Sequence, residues 1–298
     1  MPELNFRPLE LTDREWVSRL LAESDFKGCL YTFGNNYVWQ DVYNAEICRY
    51  GDLYLLKNTD HSDGQPRFLY PAGNGDVRML IPALREYCRG LDVPLLMTAN
   101  RECTEFLRSA YPDISAEADR DGFDYVYESC DLAELRGKKY HAKRNHLNRF
   151  YENDWSFEPI TQDNIPECRS VLEQWLSSND TADADKLTEA EVVRKSLDAY
   201  RQLGYEGGLL RVGGKPQAFT FGERSAADTF VVHAEKALLE YQGAYTAVNC
   251  EFAKTLTERY RYINREEDAG SEGLRKAKLS YHPAFLEEKY LITFGGMT

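Results

Sequence analysis

Residues 207–222, Gly-Gly-Leu-Leu-Arg-Val-Gly-Gly-Lys-Pro-Gln-Ala-Phe-Thr-Phe-Gly, spell a β-hairpin. Apolar runs flank a Gly213-Gly214 pair, and paired glycines supply the positive φ that tight hairpin turns need. Thr229-Phe-Val-Val-His-Ala-Glu-Lys then reads as a strand, followed by a turn at Tyr241-Gln-Gly-Ala-Tyr-Thr-Ala and a helix from about Tyr245 to Arg259. Upstream of the hairpin lie a strand at Ser156-Phe-Glu-Pro-Ile, a helix from Asn164 to Leu176, a polar loop at 179–186 and a long helix from about Glu189 to Leu203. Downstream come a strand at Tyr260-Arg-Tyr-Ile-Asn, an acidic loop, a helix through Leu274 to Leu279, and a last strand, Tyr290-Leu-Ile-Thr-Phe.

The first half has a similar order of elements. Phe6-Arg-Pro-Leu predicts a short strand, and Thr12 with Glu15 fits a capping box ahead of Trp16, Val17, Leu20 and Leu21 at helical spacing. Residues 45–57 predict two strands around Gly51-Asp52, and Arg67 to Pro71 another strand. Asn74-Gly75-Asp76 caps a helix carrying Leu80, Leu84, Tyr87 and Cys88. Pro94-Leu-Leu-Met-Thr is a buried strand, Glu102 to Tyr111 a helix, and Phe123-Asp-Tyr-Val-Tyr a strand. The fold class that follows is mixed α/β (α+β), in two domains.

Composition narrows the function. With 298 residues, 43% hydrophobic and 29% charged, the chain has material for two cores. No run approaches the roughly 18 apolar residues that span a bilayer, so no integral membrane segment is expected. The first residues lack the basic-then-apolar layout of a secretory signal. Seven dispersed cysteines without a Cys-x-x-Cys pair suggest reduced thiols and a cytoplasmic location. Five dispersed histidines show no metal-ligand spacing, so no metal is expected. A net charge of −13 opposes whole-surface nucleic-acid binding, and DNA is not expected as a partner.

Against that acidity, residues 136–149, Arg-Gly-Lys-Lys-Tyr-His-Ala-Lys-Arg-Asn-His-Leu-Asn-Arg, carry six Lys/Arg, two His and no acid. Removing those six cations leaves the remainder at about −19. Such a local inversion calls for a phosphate, a substrate carboxylate or an internal ion-pair network opposite it. From Tyr140, the positions Arg144, Leu147 and Tyr151 share a helical face with Phe150 beside them. Arg144 is thus expected to point inward, where it needs a carboxylate or phosphate. The outer cations Lys143 and Arg149 are read as solvated.

The stretch Gly137-Lys-Lys-Tyr-His-Ala-Lys-Arg-Asn-His-Leu-Asn-Arg-Phe resembles the central signature of a bacterial family related to the C-terminal domain of phosphatidylglycerol lysyltransferase. Asp228-Thr-Phe-Val-Val-His-Ala-Glu-Lys-Ala and Ile263-Asn-Arg-Glu-Glu-Asp-Ala-Gly-Ser-Glu-Gly-Leu-Arg-Lys-Ala-Lys-Leu-Ser-Tyr-His-Pro resemble its other two signatures. The element order is also similar to the Gcn5-related N-acetyltransferase fold. What the resemblance implies is two tandem acetyltransferase-like domains, as in the Fem peptidyltransferases, each a mixed, mostly antiparallel sheet flanked by helices. The expected boundaries are 1–135, a basic connecting helix at 136–152, and 153–298. Relatives move an aminoacyl group from tRNA to an amine or hydroxyl.

Within that frame the expected acyltransferase takes its acyl group from aminoacyl-tRNA, with acetyl-CoA as the alternative donor of an N-acetyltransferase and a non-catalytic ligand-binding protein as a second alternative. Glu235 is the first general-base candidate, His233 the second, and Tyr281 a candidate acid for the leaving group. Alternatively, Glu235 and His233 pair with the basic helix. Lys138, Lys139, His141, Arg144 and Asn145 are expected to hold an anionic donor or substrate at the domain interface. Arg265, Glu266, Glu267 and Asp268 are expected to line the edge that holds the acceptor, where three carboxylates suit an ammonium or polyamine-like group or pair with Arg144, Arg265 or Lys276. Gln242, Gly243 and Tyr245 occupy the turn that cradles a coenzyme A pyrophosphate in acetyltransferases. Tyr245 replaces that motif's middle glycine, which disfavours close approach of a pyrophosphate.

Overall fold

The computed structural model describes residues 4–59, 64–178 and 184–295. They form two compact units. The first runs to Asp124 and takes back Glu267–Glu272 and the chain from Leu286; the second comprises Tyr125–Glu266 and Gly273–Phe285. This division cuts the chain at other places than 135 and 153, and the basic helix lies inside the second unit. Residues 179–183 of the expected polar loop lie outside the described residues.

The first unit contains α1 (Arg14–Ser24), α2 (Phe33–Tyr43), β1 (Glu46–Tyr50), β2 (Leu53–Thr59), β3 (Pro66–Leu69), β4 (Ala72–Gly73), α3 (Val77–Gly90), β5 (Leu96–Asn100), α4 (Arg101–Ala110) and β6 (Ile114–Ala118). Its sheet runs β1-β2-β3-β5-β14-β6, with β4 on β2 and β14 (Lys289–Phe294) near the far edge. β3 and β5 are parallel; the other pairs are antiparallel. A core of Leu55, Phe68, Leu80, Leu84, Met97, Leu107 and Ile292 joins this sheet to α3 and α4. The cap expected from Thr12 and Glu15 is shifted. Glu10 and Asp13 form the capping box, and Asp13 also accepts from Trp16 Nε1 (2.8 Å) and pairs with Arg7. The Arg7 guanidinium holds the Asp13 carboxyl down at about 2 despite its burial.

The sequence reading left out α2, because Asn35, Asn36 and Gln40 interrupt any apolar stripe. All three are buried and bonded instead: Asn35 Nδ2 to the Cys29 carbonyl (3.1 Å), Asn36 Nδ2 to Tyr54 (3.1 Å), and Gln40 Oε1 to the Leu9 amide (3.1 Å). Satisfied polar groups can sit in a core that hydropathy alone would reject.

The remaining elements are β7 (Asp124–Glu128), α5 (Ser129–Glu134), α6 (His141–Tyr151), β8 (Trp155–Pro159), α7 (Ile165–Ser177), α8 (Ala184–Asp198), α9 (Tyr200–Leu203), β9 (Glu206–Val212), β10 (Lys215–Ala226), β11 (Thr229–Ala237), α10 (Ala244–Leu256), β12 (Tyr262–Asn264), α11 (Glu272–Leu279) and β13 (Phe285–Glu287), all of the second unit except Asp124, Glu272 and Leu286–Glu287. The sheet order is β13-β7-β12-β11-β10-β9-β8. The hairpin at Gly213-Gly214 is as expected, both glycines having positive φ. β11 and β12 are parallel, but their pairing ends at Val231↔Asn264, while β11 continues to Ala237. Beyond that point the chain after β12 follows β7 instead, with Arg265 N on the Tyr125 carbonyl and Tyr125 N on the Glu266 carbonyl. A gap therefore opens beside the second half of β11. Among the described residues, no helix is long and apolar enough to cross a membrane.

Candidate active site

The alternation of β11 sends Val232, Ala234 and Lys236 to one face and His233 and Glu235 to the other, where residues that follow β12 meet them. Asn264 ends β12 and accepts the Glu266 amide on its side chain (2.7 Å), with Glu266 in the left-handed region at φ 57°. That turn aims two successive side chains at β11. Glu266 meets His233 and Arg265 meets Glu235.

His233 is held from both ends. Its Nε2 lies 3.0 Å from Glu223 and its Nδ1 2.8 Å from Glu266. Burial works against a charged ring, but the two carboxylates outweigh it and raise His233 to about 9. An imidazolium with both nitrogens engaged has no lone pair for an incoming proton, so His233 is a structural cation and not the second base expected from the sequence.

Glu235 is also paired. Arg265 Nη2 donates to Oε1 (2.8 Å), and Asn249 Nδ2 from α10 donates to Oε2 (3.2 Å). Yet this cluster is not closed. Arg265 Nη1, Asn249 Oδ1 and the hydroxyl of Thr220, which faces Glu235 across the β10–β11 ladder, are buried without a protein partner. Buried polar groups are seldom left unpaired, and three around one carboxylate leave hydrogen-bonding capacity that the described residues do not use.

A lysine completes the cluster. Lys143 of α6 lays its ammonium 3.8 Å from the centroid of the Tyr281 ring, and Arg265 lies over the same ring at 4.9 Å. Burial, and then the Arg265 guanidinium, lower the Lys143 ammonium to about 8 against the opposing pull of Glu235. Tyr281 is buried, its hydroxyl 3.4 Å from Thr246 Oγ1, and burial raises its pKa, so it stays a neutral phenol. Lys143, Thr220, Glu235, Asn249, Arg265 and Tyr281 thus converge from four elements and the two segments that follow β12 and α11.

The remaining sequence candidates scatter. Arg144 does not reach a carboxylate or phosphate; its guanidinium donates to the main-chain carbonyls of Leu135 and Gly137 (2.6 Å to the latter) and so ties down the turn before α6. Lys138 is exposed, Lys139 pairs with Asp131 (2.9 Å), and His141 and Asn145 bond each other at the surface (3.3 Å). Glu267 and Asp268 belong to the first unit, where Glu267 lies 3.4 Å from Lys289 and Asp268 3.4 Å from Arg120. The expected trio of acids is therefore dispersed.

The turn at Gln242-Gly243 serves the fold. A Cβ on Gly243 would lie 2.3 Å from the His146 carbonyl of α6, and φ there is 94°. Gln242 accepts from Arg149 Nη1 (3.1 Å), and the Tyr245 hydroxyl accepts from Trp175 Nε1 (3.0 Å). The close approach that this glycine permits is used by a helix of the same unit. A second tier of carboxylates in the first unit, Asp124 and Glu267 beside Cys29, has donor atoms within 4.8 Å of one another, but the Lys289 ammonium sits among them, 2.6 Å from Asp124.

Sequence reasoning missed Lys143, Asn249 and Thr220. Two signals were available. Tyr140, Lys143, Leu147 and Phe150 recur at alternating spacings of three and four, and the three others are buried. Asn249 stands alone among Thr246, Ala247, Val248, Cys250 and Phe252 in an otherwise packed helix.

A family model for phosphatidylglycerol lysyltransferase, C-terminal, matches residues 21–293. The chain belongs to this family. A conserved protein of unknown function from Bacteroides thetaiotaomicron is 36% identical, with 98% of this chain and 100% of that chain covered and a TM-score of 0.93. L-PGS from Bacillus licheniformis shares the fold at 14% identity, with coverages of 96% and 93% and a TM-score of 0.69. FemX shares it at 8% identity, with 96% of each chain covered and a TM-score of 0.63. An uncharacterized protein of Mycoplasmoides gallisepticum is 23% identical over 177 residues, 57% of this chain and 55% of that protein, so the match spans about half of that relative. Family and neighbours together give the chain an acyltransferase-type fold, two mixed sheets flanked by helices.

Proposed function

We propose that the chain is an aminoacyltransferase that moves an aminoacyl group from aminoacyl-tRNA to an amine or hydroxyl acceptor, with its reacting centre at Lys143, Arg265 and Glu235. The observation that carries this reading is a half-buried lysine, lowered to about 8, beside a guanidinium with an unpaired buried N–H. The acceptor attacks the ester carbonyl of the donor and gives its proton to neutral Lys143. Arg265 Nη1 donates to the oxygen that gains negative charge in the tetrahedral intermediate. Collapse breaks the ester C–O bond, and the Lys143 ammonium returns the proton to the leaving ribose oxygen. Glu235 holds Arg265 in place, and the neutral Tyr281 ring bounds the lysine.

Aminoacyl-tRNA is favoured over acetyl-CoA because α6 packs on Gly243, where a pyrophosphate would need to approach. The exposed Lys138 and His141, on the outer side of the basic segment, offer cations to tRNA phosphates on an otherwise acidic chain. The test is label transfer by the full chain from tRNA charged with a radiolabelled amino acid to phosphatidylglycerol vesicles and to soluble amines. Transfer by wild type that is lost in Lys143→Met supports the reading. Transfer from acetyl-CoA alone, or an undiminished Lys143→Met, overturns it.

A further inference from the structure

Cys29 is a buried thiol of the first unit, and the transfer chemistry at Lys143 does not use it. The Lys289 ammonium donates to its Sγ at 3.4 Å. Two carboxylate oxygens touch both groups at once. Asp124 Oδ1 accepts from Lys289 Nζ at 2.6 Å and from the Cys29 thiol at 3.3 Å, and Glu267 Oε2 lies 3.4 Å from each. The backbone on either side is also fixed. Asp124 Oδ2 accepts the Cys29 amide (2.7 Å), and Lys289 pairs with Asn100 at the start of β14. Sulfur and nitrogen are therefore held against one another by groups that can take a proton from either.

Small molecules have space beside this pair. A void of about 10 Å³ is bounded by Gly28 and Lys289, which is room for a water-sized molecule. It shares Leu30, Leu69 and Thr98 with a cavity of about 480 Å³ between α2 and the face of β2, β3 and β5. Burial works against the charge on Lys289, but Asp124, Cys29 and Glu267 outweigh it and raise its pKa, so the group is an ammonium until a proton leaves.

We propose that Cys29 and Lys289 form an oxidative cross-linking site, at which hydrogen peroxide joins Sγ to Nζ through a single oxygen atom. The extra proton of Lys289 passes to Asp124 Oδ1, and the amine then reacts. In the net reaction two peroxides are consumed: their O–O bonds break and S–O and O–N bonds form. Thiol and amine each give up one hydrogen, and three waters leave. Sulfur and nitrogen are both oxidised, and the peroxides are reduced. An amine already in contact with the sulfur intercepts oxidation that would otherwise run on to sulfinic acid. A direct S–N bond would have to draw the two atoms much closer than an inserted oxygen does.

The test uses the full chain carrying Cys130→Ser, which removes the exposed thiol. After treatment with hydrogen peroxide and digestion, mass spectrometry is expected to find the peptides of Cys29 and Lys289 joined. Their summed mass should be raised by one oxygen and lowered by two hydrogens, and dithiothreitol should separate them. The joined pair should be lost in Lys289→Arg and in Cys29→Ser; the latter nearly preserves side-chain size and decides the matter if Lys289→Arg fails to fold by circular dichroism. Cys29 recovered as a free thiol, or as an unlinked sulfinic or sulfonic acid, overturns the proposal. A pair joined without the added oxygen overturns it equally.

Discussion

His233 and Glu235 stand two residues apart on the same side of β11, and each meets an oppositely charged partner, yet the two clusters are built to different ends. Around His233 each ring nitrogen has a carboxylate, and the group is complete. Around Glu235 the carboxylate is satisfied, but Arg265 Nη1, Asn249 Oδ1 and Thr220 Oγ1 are not, and a lysine on a tyrosine ring adds a second cation. A closed network contributes rigidity, whereas an open one keeps polar groups aimed at something still to arrive. Within one strand, the difference separates a cluster closed on itself from one with hydrogen-bonding capacity to spare, where the proposed reaction is placed.

The comparison breaks most sharply at Lys143. Lys143→Met is expected to slow aminoacyl transfer by about 10²- to 10⁴-fold with little change in melting temperature. The wild-type rate should rise with pH through about 8 as the neutral amine forms, and the variant should lack that limb. A transfer rate in Lys143→Met equal to wild type would make the open cluster as structural as the closed one.

Glu235→Leu should cost about 3–5 kcal/mol in denaturant unfolding, because it leaves the Arg265 guanidinium buried without its counter-ion. Combining it with Arg265→Leu should recover part of that stability and none of the activity. A single variant as stable as wild type would mean that water already screens the pair.

His233→Gln sharpens the other side. The folded pKa of about 9 lies above the ordinary 6.5, so the stabilisation by charged His233 is complete below pH 6.5 and is lost as pH rises through about 9. Wild type should therefore lose up to roughly 3 kcal/mol across that window, and the variant should show a flat profile while keeping its transfer rate. An activity loss with unchanged stability would reverse the assignment.

The smallest effect is expected at Arg144. Removing its bonds to the Leu135 and Gly137 carbonyls in Arg144→Ala should cost about 1.5 kcal/mol, read from thermal melting, and change transfer by less than about twofold. A loss comparable to that of Lys143→Met would return Arg144 to the role the sequence suggested.

Much of the fold was legible before any coordinates. Asp76 caps α3 by accepting the Arg78 amide, and Gly213-Gly214 turns the hairpin, because both signals are local and each reports on one backbone geometry. The site was legible only in outline. Glu235, Arg265 and Tyr281 were named and do meet, whereas Lys143 was assigned to solvent and Arg144 to the interior. Neighbouring residues on a helix differ by about 100° in direction, so a stripe read at spacing four picks one and at spacing three the other. Which was buried depended on Tyr281 and Arg265, far along the chain.

By itself the sequence determined most of the succession of strands and turns, the concentration of positive charge at 136–149, and three stretches that resemble signatures of the family, since all of these are written in short-range order. Tertiary structure alone decided that β14 joins β5 and β6 of the first unit, that Glu266, Glu267 and Asp268 serve three separate partners, and that β12 leaves β11 early enough to open a gap. Strand partners and ion pairs are chosen by burial among residues distant in sequence, and burial is a property of the assembled core.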